Sequence, residues 1–190
     1  MRLSRPFIAL ALAVVALAVS LRAADEGWII ERLNSRIEVE SDGTLSILEA
    51  LDVDFRGLSK HGIFRDILYV LDFDATNNRE YDITLTGVTA ADGRQHQVKE
   101  SDVGADRRRF QIGDPDKEVS GKQTYRVAYR VGGALNGFPD HDELYWNATG
   151  VWPVAMAAAS VVVRVPAGSI QKLDCFQGPK GSTEHCASSV

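Results

Sequence analysis

The amino-acid sequence predicts an all-β protein, an antiparallel β-sandwich of about eight to ten short strands behind a single N-terminal helix. Three observations carry this reading. Apolar residues alternate with period two in several windows, and Gly, Pro and Asp punctuate those windows at short intervals. After the leader, no segment keeps a helical period over a full window. At 190 residues the chain is long enough for one domain with a substantial core.

The elements follow in order. Arg2 and Arg5 flank the start of an unbroken apolar run, 7–19, and the small residues after it offer cleavage after Ser20 or after Ala23. This reads as a secretory signal, with an uncleaved N-terminal anchor as the alternative, and its apolar run is shorter than the roughly 20 residues a spanning helix needs. Residues 1–23 are therefore expected to direct export. Residues 24–190 are expected to form one extracytoplasmic domain, in the periplasm or on the extracellular face of the cell membrane. Segments 28–39 and 45–55 read as a hairpin joined at Ser41-Asp42-Gly43, because Asp-Gly accepts the positive φ of a tight turn. Within the second of these, Leu45, Ile47, Glu49, Leu51, Val53 and Phe55 share one face. A second hairpin is expected at Asp92-Gly93, between 81–89 and 95–99. Tyr125, Val127, Tyr129 and Val131 alternate in a further half-buried strand, 144–148 and 160–165 follow, and 67–73 and 110–112 are shorter candidates.

Charge excludes one class of function. The chain carries a net −5 and becomes more acidic once Arg2 and Arg5 are removed. Without clustered Lys and Arg it is a poor match for nucleic acid, since phosphate neutralisation needs a basic stripe. The one basic run, Arg107-Arg108-Arg109, lies among Asp102, Asp106 and Asp114 and reads as a solvated loop or strand edge. Cys175 and Cys186 read as a local disulfide in an oxidising compartment. Closing so short a loop contributes roughly 3 kcal/mol at most. A metal site using them with His185 lacks a fourth ligand of suitable spacing.

Two dense polar and aromatic clusters interrupt the strands, one from Lys60 to Asp66 and one from Asp140 to Asn147. Glu49 lies on an apolar strand face, where a lone carboxylate costs several kcal/mol to desolvate, so it needs a partner. Arg65 is the candidate, because a guanidinium binds a carboxylate bidentately. His61, Asp66, Asp140, His141, Asp142, Glu143 and Trp146 are the candidate ligand or partner cluster. If His61 and His141 converge on Asp140, Asp142 or Glu143, two imidazoles and a carboxylate suffice for zinc with an open position. That would make a metal-assisted envelope hydrolase, the alternative function. The segment lacks the helical His-Glu-x-x-His spacing, and no complete calcium loop surrounds its carboxylates, so no metal and no cofactor is expected. No Gly-x-Ser-x-Gly elbow and no phosphate-cradling glycine loop is present either, and no catalytic residue is assigned. Tyr145, Trp146 and Trp152 are candidates for an aromatic platform; alternation sends Tyr145 and Trp146 to opposite faces.

The chain resembles the N-terminal, extracytoplasmic domain of predicted bacterial membrane proteins of the domain of unknown function 2207 family. The similar segments are Ser41-Asp42-Gly43-Thr44-Leu45 with Glu49 and Val53-Asp54-Phe55; His61-Gly62-Ile63-Phe64-Arg65-Asp66-Ile67; 121–129; Asp142-Glu143-Leu144-Tyr145-Trp146-Asn147 with Gly150 and Trp152; and the Cys175–Cys186 loop. The chain departs from the family in having Leu68 where proline is common. The resemblance implies membrane association and a position before transmembrane helices, short of which this chain is expected to stop. It supplies no activity. The function expected is a non-enzymatic envelope module that binds or packs against an envelope protein, a peptide or a cell-wall ligand.

Overall fold

The computed structural model describes residues 26–72, 76–166, 170–178 and 181–187; the expected signal helix, and Phe73 of the expected 67–73 strand, lie outside these. The described chain is all-β. It runs β1 (Ile29–Val39), β2 (Leu45–Asp54), β3 (Ile63–Leu68), β4 (Val70–Asp72), β5 (Asn78–Glu80), β6 (Asp82–Thr89) and β7 (Val98–Val103). It continues with β8 (Arg107–Ile112), β9 (Lys122–Gly132), β10 (Leu135–Gly137), β11 (Asp142–Leu144), β12 (Ala159–Arg164), β13 (Phe176–Gln177) and β14 (Glu184–His185).

Two sheets make the body. A five-stranded sheet has the order β12-β1-β2-β9-β6, and a three-stranded sheet the order β3-β8-β7. Between them lies one apolar core that takes Ile47, Leu51, Tyr125 and Val127 from the first sheet and Ile63, Ile67, Phe110 and Ile112 from the second. The alternation in β2 works as expected: Leu45, Ile47, Glu49, Leu51 and Val53 are buried, and the residues between them face outward. In β1 the buried set changes parity, from Ile30 to Leu33, Ser35 and Ile37. A bulge between Ile30 and Arg32 inserts one residue and supplies the shift.

The β1–β2 turn closes as a hairpin, with Glu40 N–H donating to Thr44 O at 2.8 Å and Thr44 N–H to Asp42 Oδ1 at 2.9 Å. At Asp92-Gly93 the turn forms as well, with Ala90 N–H on Arg94 O at 2.8 Å, but the hairpin stops after one bridge, Thr89↔Gln95. Beyond it the chain crosses to the three-stranded sheet and pairs as β7 with β8.

Other expectations need correction. Fourteen strands occur among the described residues, more than the about eight to ten expected. The surplus comes from two- and three-residue pairs such as β4–β5, β10–β11 and β13–β14, too short to show a period. Segment 67–73 breaks at Tyr69, whose N–H donates to Asp106 O at 2.9 Å. Of 144–148 only Leu144 is in a strand. Pairing is not wholly antiparallel, because β12 lies parallel to β1. Arg107–Arg109 are neither loop nor edge: β8 is the central strand of its sheet, and each arginine reaches an acid, Arg107 the preceding Asp106, Arg108 Asp102 on β7 and Arg109 Asp66 on β3.

One contact fixes how β3 meets β8. Gly62 and Gly113 face each other where the pair begins, at φ +139° and +136°. A Cβ on Gly62 would stand 1.9 Å from Ile112 O, and one on Gly113 would stand 1.8 Å from His61 O. Only glycine allows the two backbones this approach.

Candidate functional site

The buried polar centre of the domain is built from one residue on each of three strands. Glu49 on β2 and Arg65 on β3 project into the same core from opposing sheets, 0% and 1% exposed. Arg65 Nε donates to Glu49 Oε2 at 2.8 Å and Nη2 to Oε1 at 2.6 Å, the planar fork matching the carboxylate. Tyr129 on β9 donates its hydroxyl to Glu49 Oε1 at 2.6 Å. The third arm of the guanidinium, Nη1, donates to Asp66 O at 2.7 Å. Burial, the largest single influence, would depress the Arg65 guanidinium, but the charge and hydrogen bonds of Glu49, with Tyr129, together outweigh it and hold Arg65 above its ordinary value. Burial, and then the Glu49 charge, hold the Tyr129 phenol well above its ordinary range.

A lid completes this centre. The Trp152 ring lies 5.5 Å from the Arg65 guanidinium carbon, and its Nε1 donates to Thr149 O at 2.7 Å. Gly150, at φ +74°, passes so close that a Cβ there would stand 2.1 Å from Arg65 Nη1. Asn147 Oδ1 accepts from Gly150 N–H at 3.0 Å and holds the turn. Thus the second polar cluster lies directly over the first.

The candidate cluster is distributed rather than assembled. Asp66 is engaged by Arg109 through two bonds of 2.7 Å, with Arg109 also lying 4.7 Å over the Phe64 ring. His61 is exposed, and its Nδ1 lies 3.0 Å from Lys117 O. His141 Nδ1 lies 2.8 Å from Asp140 Oδ1, and the ring stacks on Phe138 at 4.8 Å. That contact holds the Asp140 carboxyl below the usual carboxylate range. Glu143 Oε2 accepts from Asn136 Nδ2 at 3.2 Å, and Asp142 stands exposed at the start of β11. Among the described residues no three His, Cys, Asp or Glu side chains are grouped to hold a metal. The zinc arrangement of His61 and His141 with Asp140, Asp142 or Glu143 is not formed.

The aromatic platform divides, although Tyr145 and Trp146 lie beyond the end of β11 rather than in a strand. Tyr145 is 72% exposed, while Trp146 turns inward against Tyr81, with ring centroids 5.7 Å apart. Trp146 borders a small cleft of about 50 Å³ lined by Leu68, Leu71, Tyr81, Tyr145 and Val151, with Arg65 at its base. The Trp146 Nε1 atom is buried without a hydrogen-bond acceptor. Several contributors escaped the sequence reading. Tyr129 was legible only as an apolar-face residue, although a tyrosine there always raises the question of what its hydroxyl meets. His96, its ring tilted against Tyr125 at 5.0 Å, and the Arg109 partner of Asp66 carried no local signal.

Tyr125 gives a pH prediction. Burial pushes its phenol up to about 12, against roughly 10 when unfolded. A raised folded value means that stability is complete below the unfolded pKa and is lost as pH rises from about 10 towards 12. Ultraviolet titration should show a late tyrosinate phase that Tyr125→Phe reduces by one tyrosine, leaving the still later titration of Tyr129. Loss of no late phase in that variant would refute the assignment.

Cys175 and Cys186 are joined, with Cα atoms 5.4 Å apart, and Cys186 N–H donates to Cys175 O at 3.0 Å. The bridge staples the two-residue strands β13 and β14. Non-reducing thiol titration should find no free thiol, and reduction should lower the melting temperature by an amount equivalent to roughly 3 kcal/mol at most. Two freely titrating thiols would sink this prediction.

Fold and site together define an all-β domain centred on a buried ion pair. The chain belongs to the family described as predicted membrane protein (DUF2207), N-terminal domain, whose pattern matches residues 29–189. No curated protein matches the chain. Among solved structures it is similar to an M1 zinc metallopeptidase from Deinococcus radiodurans, at 15% identity and a TM-score of 0.45, covering 83% of this chain and 38% of that one. It is also similar to leukotriene A4 hydrolase from Saccharomyces cerevisiae, at 10% identity and a TM-score of 0.38, covering 55% of this chain and 15% of that one. The chain thus spans well under half of either protein.

Proposed function

We propose that this domain is a non-catalytic module on the extracytoplasmic face of a bacterial envelope, which packs against a membrane-protein, peptide or cell-wall partner. The observation that carries it is where apolar surface is left uncovered. Of the eleven exposed large apolar side chains among the described residues, nine lie from Phe138 onward, including Tyr145, Val151, Val165, Ile170, Leu173 and Phe176. Scattered single apolar residues are ordinary on a surface, but a concentration in one part of a chain marks an interaction region. The disulfide and the N-terminal apolar run support an oxidising compartment outside the cytoplasm. Family membership supports association with a membrane. Of the polar residues that looked reactive in the sequence, Glu49, Arg65 and Asp66 are engaged in the scaffold, while His61 and His141 make separate contacts at the surface, which favours binding over catalysis.

Photo-crosslinking in intact envelopes tests this reading. A crosslinking side chain at Ile170 or Leu173 should give a discrete protein or cell-wall adduct, and one at Lys99 on β7 should not. Equal labelling from all three positions, or none from the first two, would overturn it.

A further inference from the structure

The outward face of the five-stranded sheet has a composition unlike the rest of this acidic chain. Register places Val162, Arg36, Leu48 and Ala128 in one row across four strands, with Ser160, Asn34, Ala50 and Arg126 on one side of it. On the other side lie Arg164, Glu38, Ser46 and Arg130. Two large apolar side chains stand open in the middle row, Leu48 at 40% exposed and Val162 at 50%. Around them are five exposed arginines: Arg32, Arg36, Arg126, Arg130 and Arg164.

Most acids of this face are already engaged. Glu38 pairs with Arg164 at 3.4 Å, Glu40 accepts from Ser46 Oγ at 2.8 Å, Asp52 accepts from Thr124 Oγ1 at 2.9 Å, Asp54 accepts from Arg56 N–H at 2.7 Å, and Glu31 holds Lys122 at 2.6 Å; Asp82 stands exposed at the β6 edge, away from the middle row. Arg32, Arg36 and Arg130 make no hydrogen bond or ion pair among the described residues, and Arg126 has only a 3.4 Å contact to Ala91 O. By contrast, Arg65, Arg107, Arg108 and Arg109 all face acids. Unpaired guanidinium groups around exposed aliphatic side chains, on an open sheet, fit a surface that offers many phosphates above an apolar layer. A peptide partner would call for a groove or a free strand edge, and the middle of this sheet offers neither.

We propose that this face is a docking surface for anionic phospholipid headgroups, with Arg36, Arg126 and Arg130 binding phosphate and Leu48 and Val162 entering the headgroup boundary. Binding is then electrostatic at long range and weakens with salt. The proposal invokes a different chemistry from the protein or cell-wall partner inferred above, and of the nine exposed apolar side chains counted there from Phe138 onward it uses only Val162.

The test is cosedimentation of the exported chain with phosphatidylcholine vesicles, with and without phosphatidylglycerol. The wild type should bind only when phosphatidylglycerol is present, and less as salt rises. Each lost arginine should lower partitioning roughly fivefold, so R36Q/R126Q/R130Q should abolish binding. A control removing equal charge elsewhere, R94Q/K99Q/K172Q, should retain most of it; all variants carry the same N-terminus, and unchanged melting temperatures confirm that each is folded. Equal loss in both triple variants would reduce the effect to net charge and overturn the proposal. So would binding that ignores phosphatidylglycerol, or capture of a polyglutamate peptide without capture of vesicles.

Discussion

Arg65→Met is expected to destabilise the domain by ~3–5 kcal/mol, because it leaves Glu49 charged and desolvated in the core. Glu49 and Arg65 are 0% and 1% exposed and joined by two short bonds, so water cannot replace either partner without opening the sandwich. Glu49→Gln keeps the shape and an acceptor for Tyr129, and it should destabilise less than Glu49→Ala while leaving the fold recognisable. The double variant Glu49→Leu/Arg65→Met removes both charges and should recover much of the loss. Urea unfolding of Glu49→Leu, Arg65→Met and the double gives the coupling, expected at about 0.5–3 kcal/mol for contacting residues. Harmless, additive single changes would defeat the assignment of this pair as the structural centre.

Gly62→Ala should be nearly as damaging, for a different reason. Its Cβ would stand 1.9 Å from a main-chain oxygen, Ile112 O, which cannot swing away as a side chain can. Relief requires separating β3 from β8 at the Ile63↔Ile112 end, and those two isoleucines are core residues of the smaller sheet. A loss of ~4 kcal/mol or more places the change among the exceptional single substitutions. Gly113→Ala should behave alike, and hydrogen exchange should accelerate first at the β3 and β8 amides. A melting temperature unchanged by either substitution would show that the close approach is dispensable.

The parts of this architecture legible in the sequence were those with a repeating signal. Ten residues of alternation in β2, with an Asp-Gly turn before it, specified a strand, its inward face and its hairpin partner. The same alternation singled out Glu49, since a carboxylate in an apolar row demands a cation. What stayed hidden was non-local. Nothing in Ala159–Arg164 announces that it lies parallel to β1, because a run of valines suits either direction. Tyr129 and Gly150 meet Arg65 only after three separate segments converge, so neither could be read from its own neighbours. The candidate cluster went unassembled for a similar reason: adjacency in sequence gathered Asp140, His141, Asp142 and Glu143 at the β10–β11 hairpin, but His141 and Glu143 contact near neighbours there while His61 contacts Lys117 O on another segment.

The parallel seam between β1 and β12 also bears on the order of assembly. Ser160 Oγ reaches Asn34 Oδ1 across 126 residues, whereas β1 and β2 are joined by a single turn. A chain emerging N-terminus first can close the β1–β2 hairpin early, but one flank of β1 has to wait for nearly the whole domain before its backbone groups are satisfied. Distant pairings of this kind form late, and an open strand flank invites strangers in the interval. The slowest and most chaperone-dependent moment in the maturation of this protein should therefore be the arrival of β12, and substitutions in Val161–Val163 should lower the yield of folded protein more than they lower the stability of what has folded.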